Sequence, residues 1–132
     1  MVDLFRMRQL MRQLKADERN VEAAMARATK ITQGFSDMPH APGVTDRVGQ
    51  GAVELFEAER VRDETLLELQ ALRDALEPLL KELPEDTREI LRRRYMNGDS
   101  PMLIAIYEHL SERHVFRLLR KGEAQIKYIQ QP

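Results

Sequence analysis

The residues with the clearest chemical potential lie between Ser111 and Ile126, where basic side chains recur at helical spacing. In a helix that begins at Ser111, Val115 and Leu118 fall on one face and the basic side chains on another. Arginine and lysine bind phosphate, and an arginine near the start of such a helix can also bind a guanine edge. The pattern predicts a DNA-binding helix whose contact residues are Ser111, Glu112, Arg113, His114, Arg117, Arg120 and Lys121.

The position of each basic residue along this helix suggests its role. Arg113 and Arg117 are early enough to make bidentate guanine contacts, whereas Arg120 and Lys121 are placed for phosphates. Glu112 either accepts a hydrogen bond from a cytosine amine or favours the helix dipole. The inward stripe is expected to consist of Val115, Leu118, Gly122, Ile126 and Ile129. On charge alone, a solvated amphipathic helix explains the same pattern and is the more frequent outcome.

No pattern in the chain points to catalysis or to a metal site. It has no cysteine, and its three histidines, His40, His109 and His114, share no ligand spacing. A glycine-rich phosphate loop, a nucleophile elbow and a persuasive carboxylate pair are also missing from the sequence. We therefore expect neither enzymatic activity nor a cofactor or metal.

Charge is divided unevenly along the 132 residues, although the formal net charge is only −1. Residues 1–30 hold seven basic and four acidic side chains, 31–83 hold five and eleven, and 84–132 hold nine and seven. Basic character is thus concentrated at the two ends, and a near-neutral total does not argue against an anionic partner. No apolar run approaches the ~20 residues that span a bilayer, so we expect no membrane insertion and a cytoplasmic location.

Two long amphipathic helices are predicted to precede the basic segment. Residues 1–32 read as an N-terminal helix for association, 33–50 as a linker loop rich in glycine and proline, and 51–83 as an acidic helix. The helical pattern of this second helix resumes near Thr45 or Gln50. The first heptad stripe, broken at Glu18, consists of Leu4, Met7, Met11, Leu14, Val21, Met25 and Ala28. The second, interrupted at Arg62 and Thr65, consists of Leu55, Ala58, Leu69, Leu72, Leu76, Leu79 and Leu83. Such stripes predict an antiparallel hairpin or a surface that dimerises.

Residues 84–132 contain the start and stop signals of three shorter helices. Pro84 suits the first turn of a helix, and Asn97-Gly98 ends it. Ser100-Pro101 then caps a short helix, and Ser111 caps the basic one. Within the basic run Arg92–Arg94, phosphate contact and ordinary solvation are equally consistent with the sequence. The predicted fold is all-α, with a C-terminal helix-turn-helix.

The segment LPEDTREILRRRYMNGDSPMLIAIYEHLSERHVFRLLRKGEAQI resembles region four of sigma-70-type factors. The matching positions are Leu83-Pro84, Arg94-Tyr95, Gly98, Ile104-Ala105, Ser111, Val115 and Leu118. The upstream segment SDMPHAPGVTDRVGQGAVELFEAE resembles the linker of small phage and prophage transcriptional regulators of the ArpU/RinA-like kind. The resemblance implies a phage or prophage regulator, an activator of late genes, that acts in the bacterial cytoplasm or nucleoid.

Three residues depart from the sigma-like pattern. Glu108 replaces the usual apolar residue before the turn, His109 replaces the turn glycine, and Gly122 replaces a small alanine at a helix cost of about 1 kcal/mol. His109 tolerates a left-handed backbone better than most residues do, although less well than glycine.

We expect a sequence-specific DNA-binding transcriptional regulator whose partners are double-stranded DNA and further copies of itself, foremost as a dimer. Contact with RNA polymerase is consistent with a sigma-like module. Two alternatives stay open. A phage DNA-packaging recognition subunit, similar to a small terminase, would form a ring of many copies. A non-DNA adaptor would bind only polymerase and would not bind DNA even at low salt.

Overall fold

The computed structural model describes residues 1–35 and 44–132, and the side chains of residues 1–30 and 49–132. Within those residues the regular secondary structure is entirely helical, which confirms the all-α prediction. The helices are α1 (Leu4–Phe35), α2 (Val44–Leu80), α3 (Glu85–Leu91), α4 (Pro101–Glu108) and α5 (Glu112–Ile129). A π-helical turn, Arg92–Met96, continues α3. None of the described helices has the length and apolarity needed to span a bilayer.

The predicted linker 33–50 is too long at both ends. Helix α1 runs to Phe35 and α2 already begins at Val44, so only residues 36–43 lie outside the described chain. The start at Val44 agrees with Thr45, the earlier of the two predicted helix starts, and Gly49 and Gly51 do not break the helix. A glycine costs a helix only about 1 kcal/mol, which the packing of a long helix can offset. The acidic helix predicted for 51–83 likewise ends earlier, at Leu80.

The chain divides into two compact units that do not follow the predicted domain boundaries. One unit comprises Met1–Met11 and Leu69–Pro132, and the other comprises Arg12–Glu68. The C-terminal unit is therefore larger than the predicted domain 84–132. It includes the first two turns of α1 and the last three turns of α2, because apolar residues there complete its core.

The unit formed by 12–68 is an antiparallel helical hairpin. Thr65 Oγ donates a hydrogen bond to Asp17 Oδ2 at 2.6 Å, and Arg27 forms an ion pair with Glu54 at 3.5 Å. Arg27 follows Asp17 by ten residues in α1, whereas its partner Glu54 precedes Thr65 by eleven residues in α2. The two helices therefore run in opposite directions. Of the two options that the heptad stripes left open, the hairpin is the one observed within this unit.

The N-terminal seam differs from the predicted stripe at two positions. Met25 is 51% exposed, and its neighbour Ala24 is buried instead. The polar residue on the seam is Asp17 rather than Glu18, which is exposed. From Asp17 onward the inward residues are Val21, Ala24 and the half-buried Ala28, at the spacings of four, three and four that heptad packing requires.

The other unit has a core built around α3 and α5. Its largest fully buried side chains are Tyr95, Met7, Leu69, Leu76, Leu80, Leu91, Ile104, Ile126 and Val115. At the closest approach of α5 to α3, a Cβ on Gly122 would lie 2.7 Å from Leu91 Cδ1 and 3.4 Å from Thr87 Cβ. Gly122 therefore permits close packing of the two helices, which accounts for its departure from the expected alanine.

Two tight connections position α4 and α5. Ser100 Oγ accepts a hydrogen bond from the backbone N–H of Leu103, which caps α4 as predicted. At the end of α4, His109 takes the left-handed conformation (φ 56°, ψ 42°), and the N–H of Leu110 bonds to Ala105 O at 3.0 Å. His109 thus takes the backbone conformation that the turn glycine usually supplies. Three residues separate the end of α4 from the start of α5.

Candidate nucleic-acid interface

Helix α5 begins where its sequence predicts. Ser111 is the N-cap, and its Oγ accepts a hydrogen bond from the backbone N–H of His114 at 3.1 Å. Glu112 lies in the first turn and is exposed, where its charge favours the helix dipole. The cap and this charge fix the first turn, the part of α5 that carries the predicted base-contacting residues.

The inner face of α5 is the predicted one. Val115, Leu118, Gly122 and Ile126 are buried, and Ile129 is half-buried. Leu119 is also buried, although it was not assigned to the inward stripe. Five buried positions in four turns fix the rotation of α5 about its axis, so that its outer face is defined.

The outer face carries four exposed basic side chains: Arg113, Arg117, Arg120 and Lys121. At 3.6 residues per turn they fall within an arc of about 100°. Among the described residues, no ion pair or hydrogen bond engages any of these four side chains. His114, predicted as a contact residue, is half-buried at the margin of this arc. We call Arg113, Arg117, Arg120 and Lys121 the basic face.

The arginines of the run 92–94 differ from the basic face because all three have partners within the chain. Arg92 pairs with Glu77 at 2.8 Å, and Arg94 Nη1 donates to the backbone oxygen of Asp99 at 3.4 Å. Arg93 donates to Glu108 at 2.6 Å, and this hydrogen bond raises the pKa of Arg93. Solvation with internal pairing, rather than phosphate contact, is therefore the interpretation that the structure favours for this run.

The bond from Arg93 also explains the departure at Glu108. In place of an apolar residue, the chain has a carboxylate that accepts from Arg93, and the Arg93 guanidinium lies 5.2 Å from the centre of the Tyr107 ring. The end of α4 is thus fixed to the π-helical turn by charge and cation–π contact. The sequence did not reveal this pair, since its members lie 15 residues apart.

A partly buried polar network that the sequence did not indicate also holds α5 in place. Arg8 Nη1 donates to Tyr95 Oη at 2.8 Å, and Tyr95 Oη donates to Glu123 Oε1 at 2.8 Å. Burial and the charge of Glu123 raise the pKa of Tyr95 to about 12, so the phenol keeps its proton and its bond to Glu123 even as the pH rises past 10. Arg73 Nε also donates to the backbone oxygen of Tyr95 at 2.7 Å. The only sequence signal was Arg94-Tyr95, which matched the sigma-like pattern without indicating a partner.

One aromatic residue adjoins the basic face and was also missed. Phe116 is partly exposed on α5, three residues after Arg113 and four before Arg120. On a helix these spacings make the three side chains neighbours. An apolar ring beside arginines can contact a thymine methyl group, so the face combines hydrogen-bond donors with an apolar contact.

Comparison of the chain with models of protein families, with curated proteins and with solved structures found no match. The resemblance to sigma region four and to phage regulators therefore stays a prediction. In the part of the chain that the structure describes, no cluster of three or more His, Asp or Glu side chains is arranged to hold a metal ion.

Proposed function

We propose that this chain is a sequence-specific DNA-binding regulator of transcription. Helices α4 and α5 act as a helix-turn-helix, and α5 is the recognition helix. The observation that carries the proposal is the basic face, whose four cations are exposed and have no partner among the described residues. The contrast with Arg92–Arg94 matters, because arginines that already have internal partners would have to give them up to bind phosphate.

The order of residues along α5 supports separate roles. Arg113 and Arg117 lie in the first two turns, which enter the major groove deepest and meet base edges. Arg120 and Lys121 lie a turn further, where a recognition helix approaches the phosphate backbone. Ser111 caps the end of α5 that would enter the groove, and Glu112 lies in its first turn. His114 borders the basic face. The resemblance adds the biological setting: a phage or prophage regulator of late genes.

Selection of bound duplexes from random DNA tests the proposal. We expect the parent chain to enrich one short sequence and Arg113→Ala combined with Arg117→Ala to enrich none. The matched control is Arg12→Ala combined with Arg19→Ala, which removes the same charge from exposed positions of α1 and should enrich the parent sequence. Failure of the parent chain to bind any duplex at low salt would contradict the proposal.

A second candidate function, that of an adaptor for RNA polymerase, is favoured by one observation. Helix α4 exposes Met102, Leu103, Ile106 and Tyr107, which are neighbours on its surface because Met102 lies four residues from Ile106 and Leu103 lies four residues from Tyr107. Exposed apolar clusters of this kind mark protein-binding surfaces. If the chain binds polymerase through α4 and binds no DNA, this candidate replaces the first.

A further inference from the structure

Helix α2 has apolar side chains on two opposite faces between residues 53 and 67. One face packs in the hairpin, where Leu55 and Ala58 are half-buried and Thr65 is buried against Asp17. The other face exposes Val53, Phe56 and Leu67, whose exposed fractions are 67%, 69% and 74%. A helix that is apolar on both faces buries only one of them in a two-helix hairpin. The second face thus exposes large apolar side chains that the chain itself does not cover.

The exposed face has its own heptad spacing. Val53, Phe56, Arg60, Asp63 and Leu67 follow one another at intervals of three and four residues, within an arc of about 80°. Charged residues thus occupy the third and fourth of these positions, and apolar residues occupy the other three. We call these five residues the outer seam of α2.

We propose that the outer seam pairs with the same seam of a second copy of this chain, with the two helices antiparallel. A two-fold axis between Arg60 and Asp63 places Phe56 opposite Leu67 of the second copy, and Arg60 opposite Asp63 of the second copy. Each contact occurs twice, as a symmetric interface requires. Phe56, Arg60, Asp63 and Leu67 are therefore complementary to themselves in this register, whereas Val53 lies opposite Gln70 of the second copy.

Charge decides between the two directions of packing. In a parallel pair, Arg60 would face Arg60 and Asp63 would face Asp63, and like charges across an interface are strongly unfavourable. In the antiparallel pair both central contacts join opposite charges. Within its own helix Arg60 pairs with Glu57 and Glu64, and Asp63 pairs with Arg62, so the contacts between copies are shared with these exposed internal pairs.

The pairing relocates the association surface that the sequence predicted. That prediction placed it on the N-terminal stripe of residues 1–32, but Met7, Met11 and Val21 of that stripe are buried within the chain. They are consequently not available to a second copy. The outer seam spans only about four helical turns, so the area that it can bury is at the small end of the range for protein interfaces. The dimer should therefore be weak and should depend on protein concentration.

Sedimentation equilibrium of the full chain without DNA tests the pairing, independently of any role in transcription. We expect the mass to rise from one chain to two with concentration. Phe56→Gln combined with Leu67→Gln should keep it at one chain. Because both side chains are exposed, helicity should not change. The matched control, Met102→Gln combined with Ile106→Gln on α4, should dimerise like the parent.

Charge reversal tests the register. Arg60→Asp alone places two pairs of carboxylates in contact, and Asp63→Arg alone places two pairs of guanidinium groups in contact. Each variant should dimerise at least about tenfold more weakly than the parent. A mixture of the two variants restores both opposite-charge contacts and should form a heterodimer with the parent's affinity.

Three results would overturn the proposal. The first is a parent chain that stays monomeric at all concentrations, and the second is a ring of more than two copies. The third is a mixture of the two charge variants that associates no better than either alone.

Discussion

Arg117 and Lys121 lie on the same face of α5 but one turn apart, which gives them different expected roles in binding DNA. Arg117→Ala should cost about 1–3 kcal/mol on the preferred site and relax the preference at one base pair. Lys121→Ala should weaken binding to all sequences alike and reduce the log–log salt slope by about one. Titration of each variant against the selected duplex and a random one measures both effects.

Equal losses on both duplexes for Arg117→Ala would remove this residue from a base-reading role. Neither variant should alter the thermal unfolding of the chain, since both side chains are exposed and unpaired among the described residues. Unfolding by either would show that the outer face has been assigned incorrectly.

Tyr95 couples stability to pH because its phenol is buried. Its pKa is raised from an ordinary value of 10 to about 12, so the folded state favours the protonated form. The stabilisation is fully present below pH 10 and is lost as the pH rises towards 12. Over that interval the unfolding free energy of the parent should fall by about 2–3 kcal/mol more than that of Tyr95→Phe.

Urea unfolding of both proteins at several pH values between 9 and 12 checks this difference. Lysine titration affects both proteins equally and cancels in the comparison. Parallel curves would indicate that the Arg8–Tyr95–Glu123 network does not form as described.

At the scale of helices, the structure predicts different effects on stability for Gly122→Ala and Gly49→Ala. Alanine is the better helix former by about 1 kcal/mol at either position. At Gly122, however, the new Cβ would meet Leu91 Cδ1 at 2.7 Å, and overpacking a core costs about 1–3 kcal/mol. At Gly49 no atom of the described residues lies within 4 Å of the new Cβ.

Gly49→Ala should therefore stabilise the chain by about 0.5–1 kcal/mol, whereas Gly122→Ala should leave it unchanged or less stable by up to about 2 kcal/mol. Thermal unfolding of the two variants beside the parent measures this. Stabilisation by Gly122→Ala equal to that by Gly49→Ala would mean that α3 and α5 do not approach closely.

The hairpin contains a buried polar contact that should bind its two helices together. Thr65→Val removes the donor to Asp17 Oδ2 and leaves that carboxylate with Gln13 as its partner among the described residues, at a cost of about 1–3 kcal/mol. Asp17→Leu combined with Thr65→Val replaces both partners by apolar groups and should recover most of that loss. Urea unfolding of the single and double variants gives the comparison; a single variant as stable as the parent would contradict it.

Local signals in the sequence predicted the helix starts that depend on a single residue. Ser100, Pro101 and Ser111 fixed the first turns of α4 and α5, because a cap acts on backbone groups two or three residues away. The 3.6-residue pattern of Val115, Leu118 and Ile126 likewise fixed the inner face of α5. What the sequence did not predict depends on residues distant in the chain. Examples are the partners Glu77 and Glu108 of the arginine run, and the burial of Tyr95 against Arg8.

For the molecule as a whole, the division into units changes where the candidate DNA-binding domain begins. Gln130 Nε2 donates to Val2 O at 3.0 Å, and Val2 N donates back to Gln130 Oε1 at 2.5 Å, so the start of the chain is bonded to the end of α5. Met7 and Leu10 are buried in the same unit. The N-terminal segment thus supports the candidate recognition helix, in addition to beginning the hairpin.

The central claim is that α5 binds DNA through its basic face, and the salt dependence of the parent chain's affinity for its selected duplex tests it most directly. Four free cations should displace about 3–4 counterions per chain, so the logarithm of the association constant should fall with the logarithm of salt concentration at a slope of about −3 to −4 per chain. A slope near zero, or no binding at low salt, would contradict the claim.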